Sequence, residues 1–201
     1  MKADYILVCS PMRTGSTFVY NFFRECTEEY TVKKYEISPM DFKEDVDFAP
    51  ILFRHPVAVI SSFIDFLKME YNPSMISYAF DRTKQQFEWA NKLLQEFPNC
   101  TARLNYEDFY NNVDYLVDWT KKHLDFECNQ TKVNNFKQKY SIDNVKAIVK
   151  NNTEPNLNLF QQNHVSDLNG DNEKRIEKIV EVRYYVDELI NFSKEYGYEY
   201  Q

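Results

Sequence analysis

The sequence is poor in cysteine, histidine and long apolar runs. Its 201 residues include four cysteines and three histidines, and no apolar stretch is long enough for a signal-peptide core or a membrane-spanning helix. The cysteines are widely spaced without a C-x-x-C pair and the histidines do not cluster, so neither a zinc site nor a dense disulfide framework is indicated. These absences predict a cytoplasmic protein with reduced thiols, no metal and no membrane span.

Basic residues are also in the minority. The 24 lysines and arginines are outnumbered by 31 aspartates and glutamates, which gives a net charge of −7. This balance argues against nucleic acid as a partner and, more weakly, against a highly sulfated polyanion, so any anion-binding site must be local. Because the chain lacks a Pro-, Gly- or Ser-rich linker and any internal repeat, we expect residues 1–201 to form a single α/β domain.

Glycine is rare too, and one of only three glycines lies in the most informative stretch of the chain. The residues Tyr5–Cys9 form an apolar run typical of a strand, and the residues from Phe18 onward show the apolar spacing of a helix. Gly15 lies in the turn between them, which suggests unusual backbone angles or a close approach there. Because the first N–H groups of a helix lack partners and carry partial positive charge, this turn is predicted to bind an anion, with Arg13 adding a full charge.

The loop differs from the P-loop of nucleotide kinases and other NTPases, G-x-x-x-x-G-K-[ST]. When Gly15 is aligned with the second glycine of that motif, Ser16 occupies the lysine position. Residues 11–17, Pro-Met-Arg-Thr-Gly-Ser-Thr, instead resemble the 5′-phosphosulfate loop of the sulfotransferase family, P-x-[KR]-[ST]-G-[ST]-[ST]. That family carries its cation two residues before the glycine, where this chain has Arg13.

A second motif follows the next buried strand. Ala49–Phe53 is apolar without alternation, as in a strand buried on both faces of a parallel sheet, and Pro56 suits the first turn of a helix. Arg54 begins a pattern that resembles the sulfotransferase 3′-phosphate motif R-x-P-x-x-x-x-x-S, with Ser62 eight residues later. Taken singly, Arg54 would suit a surface salt bridge and Ser62 a close helix contact. Two motifs in order on successive strand–helix units favour the resemblance.

Other elements are predicted from periodicity. We expect further strands over 30–37 and 100–106, and helices over 15–28, 74–97, 108–124, 131–139, 142–150 and 172–196. The polar segment 129–172 is expected to cover the edge of the sheet. Its residues 163–171 resemble the late nucleotide-binding loop of sulfotransferases only loosely, because the R-K-G triplet of that loop is absent.

The resemblance implies a fold, a cofactor and a set of contacts. The fold is a central, mostly parallel sheet flanked by helices, as in P-loop-like sulfotransferases. The cofactor is 3′-phosphoadenosine 5′-phosphosulfate (PAPS), whose sulfuryl group passes to an acceptor hydroxyl or amine without a metal and leaves 3′,5′-adenosine bisphosphate (PAP). The residues that the resemblance places at this cofactor are Arg13, Thr14, Gly15, Ser16, Thr17, Phe18, Arg54, Ser62 and Tyr106.

The phosphate contacts divide between the two motifs. Arg13 would stabilise charge on the leaving phosphate, as a positioned cation does in phosphoryl transfer. The backbone N–H groups of residues 14–17 and their hydroxyls would cradle the 5′-phosphate, while Arg54 and Ser62 would bind the 3′-phosphate.

Two aromatic residues are expected near the adenine. Phe18 follows the loop directly, where family members often have a tryptophan that stacks on the base. Tyr106 opens a Tyr-Glu-Asp-Phe segment that resembles the family's Y-E-D-[LMF]. Glu107 and Asp108 are better explained as first-turn residues of the next helix, where acids suit the helix dipole.

The acceptor must lose a proton, so a general base is expected. No histidine of this chain stands where cytosolic small-molecule sulfotransferases have theirs. Protein-tyrosine and glycosaminoglycan sulfotransferases instead use a glutamate past the loop, and Glu36 stands 23 residues past Arg13. We predict Glu36 as the base, with Glu44 as second candidate. A solvated strand-end carboxylate is the competing interpretation of Glu36.

Two other functions remain open on the sequence. One is a P-loop-type nucleotide kinase or hydrolase, which the missing Walker lysine disfavours. The other is a non-catalytic nucleotide-binding protein of the same fold. The acceptor is expected to be a small molecule or glycan, and carbohydrate, lipid and phenol all suit the aromatic residues of the variable segments 36–48, 64–80 and 129–165.

Overall fold

A computed structural model describes residues 5–27, 30–37, 46–141, 143–145, 147, 179 and 186–198. Several predicted segments lie wholly or mostly outside these ranges: the helical piece at 142–150, the loop at 163–171, most of the covering region at 129–172 and the first half of the helix at 172–196. Glu44 lies outside them as well.

The described part of the chain is built on a four-stranded parallel sheet. Its strands are β1 (Tyr5–Ser10), β2 (Thr31–Glu36), β3 (Ala49–Phe53) and β4 (Thr101–Asn105), in the order β2-β1-β3-β4. All neighbouring pairs are parallel. The predicted α/β class and all four predicted strands are therefore confirmed.

Helices cover both faces of this sheet, which explains the apolar composition of the central strands. In β1, Ile6 and Val8 pack on the side of the first helix, while Cys9 faces the opposite layer with Ile51 of β3. Successive side chains of a strand point to opposite faces, so a strand covered on both sides needs apolar residues at every position.

The described helices are α1 (Ser16–Cys26), α2 (Pro56–Leu67), α3 (Pro73–Glu96), α4 (Tyr106–Phe109), α5 (Val113–Leu124), α6 (Gln130–Lys139) and α7 (Val186–Glu195). One layer contains α2, α3 and α7, and the other contains α1, α5 and α6. Within the described ranges, none of these helices is long and apolar enough to cross a membrane.

The expectation of one continuous helix over 108–124 is wrong. Asn111 has a positive φ of 61°, and the side chain of Asn112 accepts a hydrogen bond from the N–H of Tyr115 as the cap of α5. Asparagine tolerates the left-handed conformation and caps helices well, so these two asparagines end one helix and start the next.

Glu107 lies in the first turn of the short α4, and its carboxylate also accepts a hydrogen bond from the N–H of His55 at 2.8 Å.

The strand register gathers the ends of all four strands at one edge. Ser10 is paired with Glu36, and Phe53 is paired with Asn105. The chain leaves β1 towards β2 on one side, while β3 and β4 lie on the other. Open α/β sheets bind ligands at the carboxyl ends of the strands where the connections diverge in this way.

His55 anchors the start of α2 at this edge. Its Nδ1 accepts a hydrogen bond from the N–H of Val57 at 3.3 Å, which requires the unprotonated nitrogen. Burial lowers the pKa of His55 to about 4, and the positive charge of Arg54 adds to the effect. His55 is therefore a neutral helix cap in the folded protein.

This pKa predicts a pH-dependent loss of stability. Between pH 6.5, the ordinary histidine value, and about 4, the unfolded chain takes up a proton at this position that the folded protein does not. The free energy of unfolding should fall over this window by up to about 3 kcal/mol because of His55. Urea unfolding of the wild type and of His55→Asn, whose amide oxygen can replace the cap, measures the difference.

The matched control is His123→Asn. Burial lowers the pKa of His123 as well, but this residue stands in the last turn of α5 and does not cap α2. The His55→Asn variant should lose less stability than wild type on acidification from pH 7 to 5. Equal losses in the wild type and the His55→Asn variant would contradict a neutral, buried His55.

Candidate functional site

The turn after β1 has the geometry of an anion-binding loop. Arg13 and Gly15 both have positive φ, at 62° and 86°. Gly15 precedes α1 as its N-cap, and no side chain caps the helix. Such an uncapped helix N-terminus offers its first N–H groups and its partial positive charge to an anion.

One expectation about the loop needs correction. The hydroxyl of Thr14 donates to the carbonyl of Pro11 at 2.8 Å, and Thr14 is fully buried. Its side chain therefore holds the turn together and is not among the residues that line the cavity. Gly15, Ser16 and Thr17 do line the cavity described below.

Glycine is required at position 15 by the rings of α4 as well as by the turn. A Cβ atom on Gly15 would lie 2.7 Å from Cδ2 of Tyr106 and 3.2 Å from Cζ of Phe109. Tyr106 follows β4, which is separated from β1 by β3 in the sheet, and its ring reaches the loop after β1. A side chain at position 15 would therefore collide with the Tyr106 ring.

Arg13, Arg54 and Ser62 form one hydrogen-bonded unit. The guanidinium of Arg54 donates to the backbone carbonyl of Arg13 at 3.0 Å. The Nε of Arg13 donates to the hydroxyl of Ser62 at 3.1 Å. Two motifs predicted separately from the sequence therefore meet at the loop, and all three residues line the cavity.

Aromatic rings hold both guanidinium groups. The Cζ of Arg54 lies 4.2 Å from the centre of the Tyr106 ring, and the Cζ of Arg13 lies 4.8 Å from the centre of the Phe66 ring. Arg54 is only 7% exposed. Cation–π contacts of this kind stabilise and orient a desolvated cation. Tyr106 thereby fixes Arg54 and Gly15 at once.

Lys34 is a site residue that the sequence analysis did not assign. Its Nζ donates to the hydroxyl of Thr17 at 3.1 Å, next to the N-terminus of α1. Burial lowers the pKa of Lys34 below the ordinary lysine value, while the negative charge of Glu36 opposes this shift. The i,i+2 spacing of Lys34 and Glu36 on β2 places them on one face, and this signal could have identified the pair.

Glu36 lies at the end of β2 and lines the same cavity. Its Oε1 accepts a hydrogen bond from the amide of Gln86 at 3.0 Å and a longer one from the guanidinium of Arg82 at 3.5 Å. The Glu36 side chain is 57% exposed. A carboxylate that is held at one oxygen and open to solvent is suited to accept a proton from a bound molecule.

The cavity at this edge has a volume of about 1080 Å³ and two unlike ends. One end is formed by α2 and α3, with the apolar side chains of Phe63, Phe66, Leu67 and Tyr78 beside Glu36. The other end is formed by α1, α4 and α6. The loop and the side chains of Arg13, Lys34 and Arg54 line the same cavity.

Aromatic rings line the second end. Phe18 stacks on Phe109, with ring centres 6.1 Å apart and an interplanar angle of 9°, and Tyr106 stacks on Tyr110 at 5.0 Å. Phe18 also meets the edge of Tyr140. Flat, apolar walls of this type suit a heteroaromatic base. Among the described residues, no group of three or more His, Cys, Asp or Glu side chains could hold a metal ion.

Comparisons with known proteins bear on the fold. No protein-family model and no curated protein matches the sequence. A search of solved structures finds that the α/β fold of this chain is similar to that of a sulfotransferase. A crystal structure of the mouse sulfotransferase SULT7A1 complexed with PAP superposes with a TM-score of 0.60 at 14% identity, over 97% of this chain and 90% of that one.

Two of the described residues, Gly15 and Gly197, are glycines with positive φ, and together they provide a prediction about the loop. Gly15→Ala should destabilise the protein and abolish anion binding at the loop, because it combines a left-handed backbone with a clash against Tyr106. Gly197 has a similar φ of 81° with no atom within 4 Å of a Cβ, so Gly197→Ala isolates the backbone cost.

Thermal melting of both variants measures the difference. Gly197→Ala should cost about 1 kcal/mol, and Gly15→Ala should cost clearly more. If both variants melted at the same temperature, the close approach of Tyr106 to the loop would be disproved.

Proposed function

We propose that the protein is a sulfotransferase that moves the sulfuryl group of PAPS to a hydroxyl or amine of a small-molecule or glycan acceptor. The observation that carries this proposal is the meeting of Arg13, Arg54 and Ser62 at an uncapped helix N-terminus. Fold likeness to a sulfotransferase complexed with PAP supports it independently. Residues 1–201 would act as one domain.

The nucleotide would lie across the loop. Backbone N–H groups of residues 14–17, with the hydroxyls of Ser16 and Thr17, would hold the 5′-phosphate at the N-terminus of α1. Arg54 and Ser62 would hold the 3′-phosphate, to which a guanidinium can donate two parallel hydrogen bonds. Phe18 and Tyr106 belong to the aromatic end of the cavity, which would take the adenine.

The transfer step needs a proton acceptor and a charge stabiliser. Glu36 would take the proton of the acceptor hydroxyl or amine, while the oxygen or nitrogen of that acceptor group forms a bond to sulfur. The bond between sulfur and the bridging oxygen breaks, and PAP leaves with that electron pair. Arg13 would stabilise the charge that develops on the departing phosphate, and Lys34 would add a second cation on the side of Thr17.

The wall next to Glu36 bears on the acceptor. Phe63, Phe66, Leu67 and Tyr78 are apolar, and the exposed large apolar side chains among the described residues, Leu67, Met69 and Tyr78, lie at or beside this wall. Contiguous exposed apolar surface often marks a binding site. An acceptor with an aromatic or apolar face is therefore favoured, and 2-naphthol is a suitable first probe.

The competing functions separate in a ligand series. PAP should raise the melting temperature, and adenosine 5′-monophosphate, which lacks the 3′-phosphate, should raise it far less. A ligand at a hundredfold excess over its Kd stabilises the native state by about 2.7 kcal/mol. A shift with ATP and Mg²⁺ alone would instead support the kinase-like alternative and contradict the proposal.

Substitution of the two arginines should separate binding from chemistry. Arg13→Ala should slow PAP formation from PAPS by about a hundredfold or more, as expected for loss of a preorganised charge. Arg54→Ala should chiefly weaken PAP binding in calorimetry. Arg24→Ala is the matched control, because Arg24 pairs with Glu25 and is not one of the cavity residues.

The outcomes of this comparison are distinct. Arginine variants that bind PAP and turn over PAPS like the wild type would refute the site assignment. A wild-type protein that binds PAP, but does not convert PAPS to PAP with any acceptor, would support the non-catalytic alternative.

A further inference from the structure

Gln86 is a buried polar residue in the middle of α3 that the proposed reaction does not use. It is 2% exposed and stands among apolar residues such as Phe87 and Ala90. A primary amide placed in such surroundings is costly unless each polar atom is paired. Its partners therefore indicate why it is there.

All of these partners lie at the ends of β1 and β2. The Oε1 of Gln86 accepts a hydrogen bond from the backbone N–H of Met12 at 2.9 Å. Its Nε2 donates to the carboxylate of Glu36 at 3.0 Å and to the carbonyl of Ile37 at 3.3 Å. One side chain thus connects the anion-binding loop to the candidate base.

The chemistry of the partners fixes the orientation of the amide. A backbone N–H can only donate, so Oε1 must face Met12. A carbonyl oxygen and an ionised carboxylate can only accept, so Nε2 must face Ile37 and Glu36. A flipped amide would lose all three bonds, and the side chain consequently has a single arrangement in this site.

The second contact to Glu36 is much weaker. Arg82, one helical turn before Gln86, reaches the same carboxylate oxygen at 3.5 Å, with 44% of its side chain exposed. Exposed pairs of this kind contribute little. The buried amide is therefore the group that determines the direction of the carboxylate.

We propose that Gln86 is a positioning residue that holds the Glu36 carboxylate in fixed register with the anion-binding loop. The proposal rests on the function proposed above, in which Glu36 takes the acceptor proton. It implies that α3 couples the two halves of the cavity, since the loop that would hold the donor and the base that would serve the acceptor share one side chain.

Gln86→Glu tests the donor half of this link. The new carboxyl group can still accept from Met12, but it can donate to Glu36 only while it carries a proton. The kcat for PAP formation from PAPS, measured with 2-naphthol and with water alone, should fall about tenfold to a hundredfold, since a small misplacement of a reacting group has effects of this size. The Kd for PAP should change less than threefold.

Gln85→Glu is the matched control, because it places the same charge on the exposed neighbouring residue of α3. It should leave kcat unchanged. Gln86→Met, which is close in size and uncharged, provides a second test if the Gln86→Glu variant does not fold, and it should lower kcat as well.

A double-mutant cycle with Glu36→Gln distinguishes positioning from a merely structural role. In the Glu36→Gln background, Gln86→Glu should have no further effect on kcat, whereas a structural effect would persist. Folded Gln86 variants with wild-type kcat, beside a Glu36→Gln variant whose kcat is lowered but measurable, would overturn this inference alone. A wild type that forms no PAP from PAPS, or a Glu36→Gln variant with wild-type kcat, would overturn the underlying function or base and the inference with it.

Discussion

The hydrogen bond from the guanidinium of Arg54 to the carbonyl of Arg13 is the contact on which the site depends. It joins the end of β3 to the turn after β1, at the point where the connections of the sheet diverge. Arg13 has a left-handed backbone conformation, so its carbonyl points in a direction that a helix or strand would not allow. The hydrogen bond from Arg54 stabilises this conformation of the turn. The Tyr106 ring supports this contact, because it lies against the Arg54 guanidinium and against Gly15 of the turn.

This arrangement concentrates positive charge in a protein with net charge −7. Arg13, Lys34 and Arg54 all line one cavity, together with the N-terminus of α1. Because an acidic surface repels anions in general, selectivity must come from these few fixed groups and their short-range hydrogen bonds. The same cavity is lined by apolar side chains of α2 and α3 and by aromatic rings such as Phe18 and Tyr106, so its parts differ in chemistry.

The elements at the edge of the sheet could be predicted from the sequence because their signals are local. The apolar runs of β1 and β3, the turn at Gly15 and the proline at the start of α2 each lie within a few residues, and the structure has all of them. The break between α4 and α5 at Asn111 and Asn112 was not predicted, although its signal is local, because the apolar spacing on either side is consistent with one continuous helix. The role expected of the Thr14 hydroxyl was wrong because a Ser/Thr side chain can bond its own turn as readily as a ligand.

Contacts between distant parts of the chain could not be predicted. Gln86 and Glu36 are 50 positions apart and meet only because α3 packs beside the end of β2. The Nζ of Lys34 meets Thr17 only because α1 lies beside β2, and the demand for glycine at position 15 depends on a ring that follows β4. Residue spacing supplies candidates, and the strand order determines which of them share a site.

The most direct test of the central claim is a crystal structure of the protein with PAP. We expect the 3′-phosphate within hydrogen-bond distance of the Arg54 guanidinium and the Ser62 hydroxyl, and the 5′-phosphate at the backbone N–H groups of residues 14–17. A cavity without nucleotide at saturating PAP, or a nucleotide whose phosphates avoid both the loop and Arg54, would contradict the account.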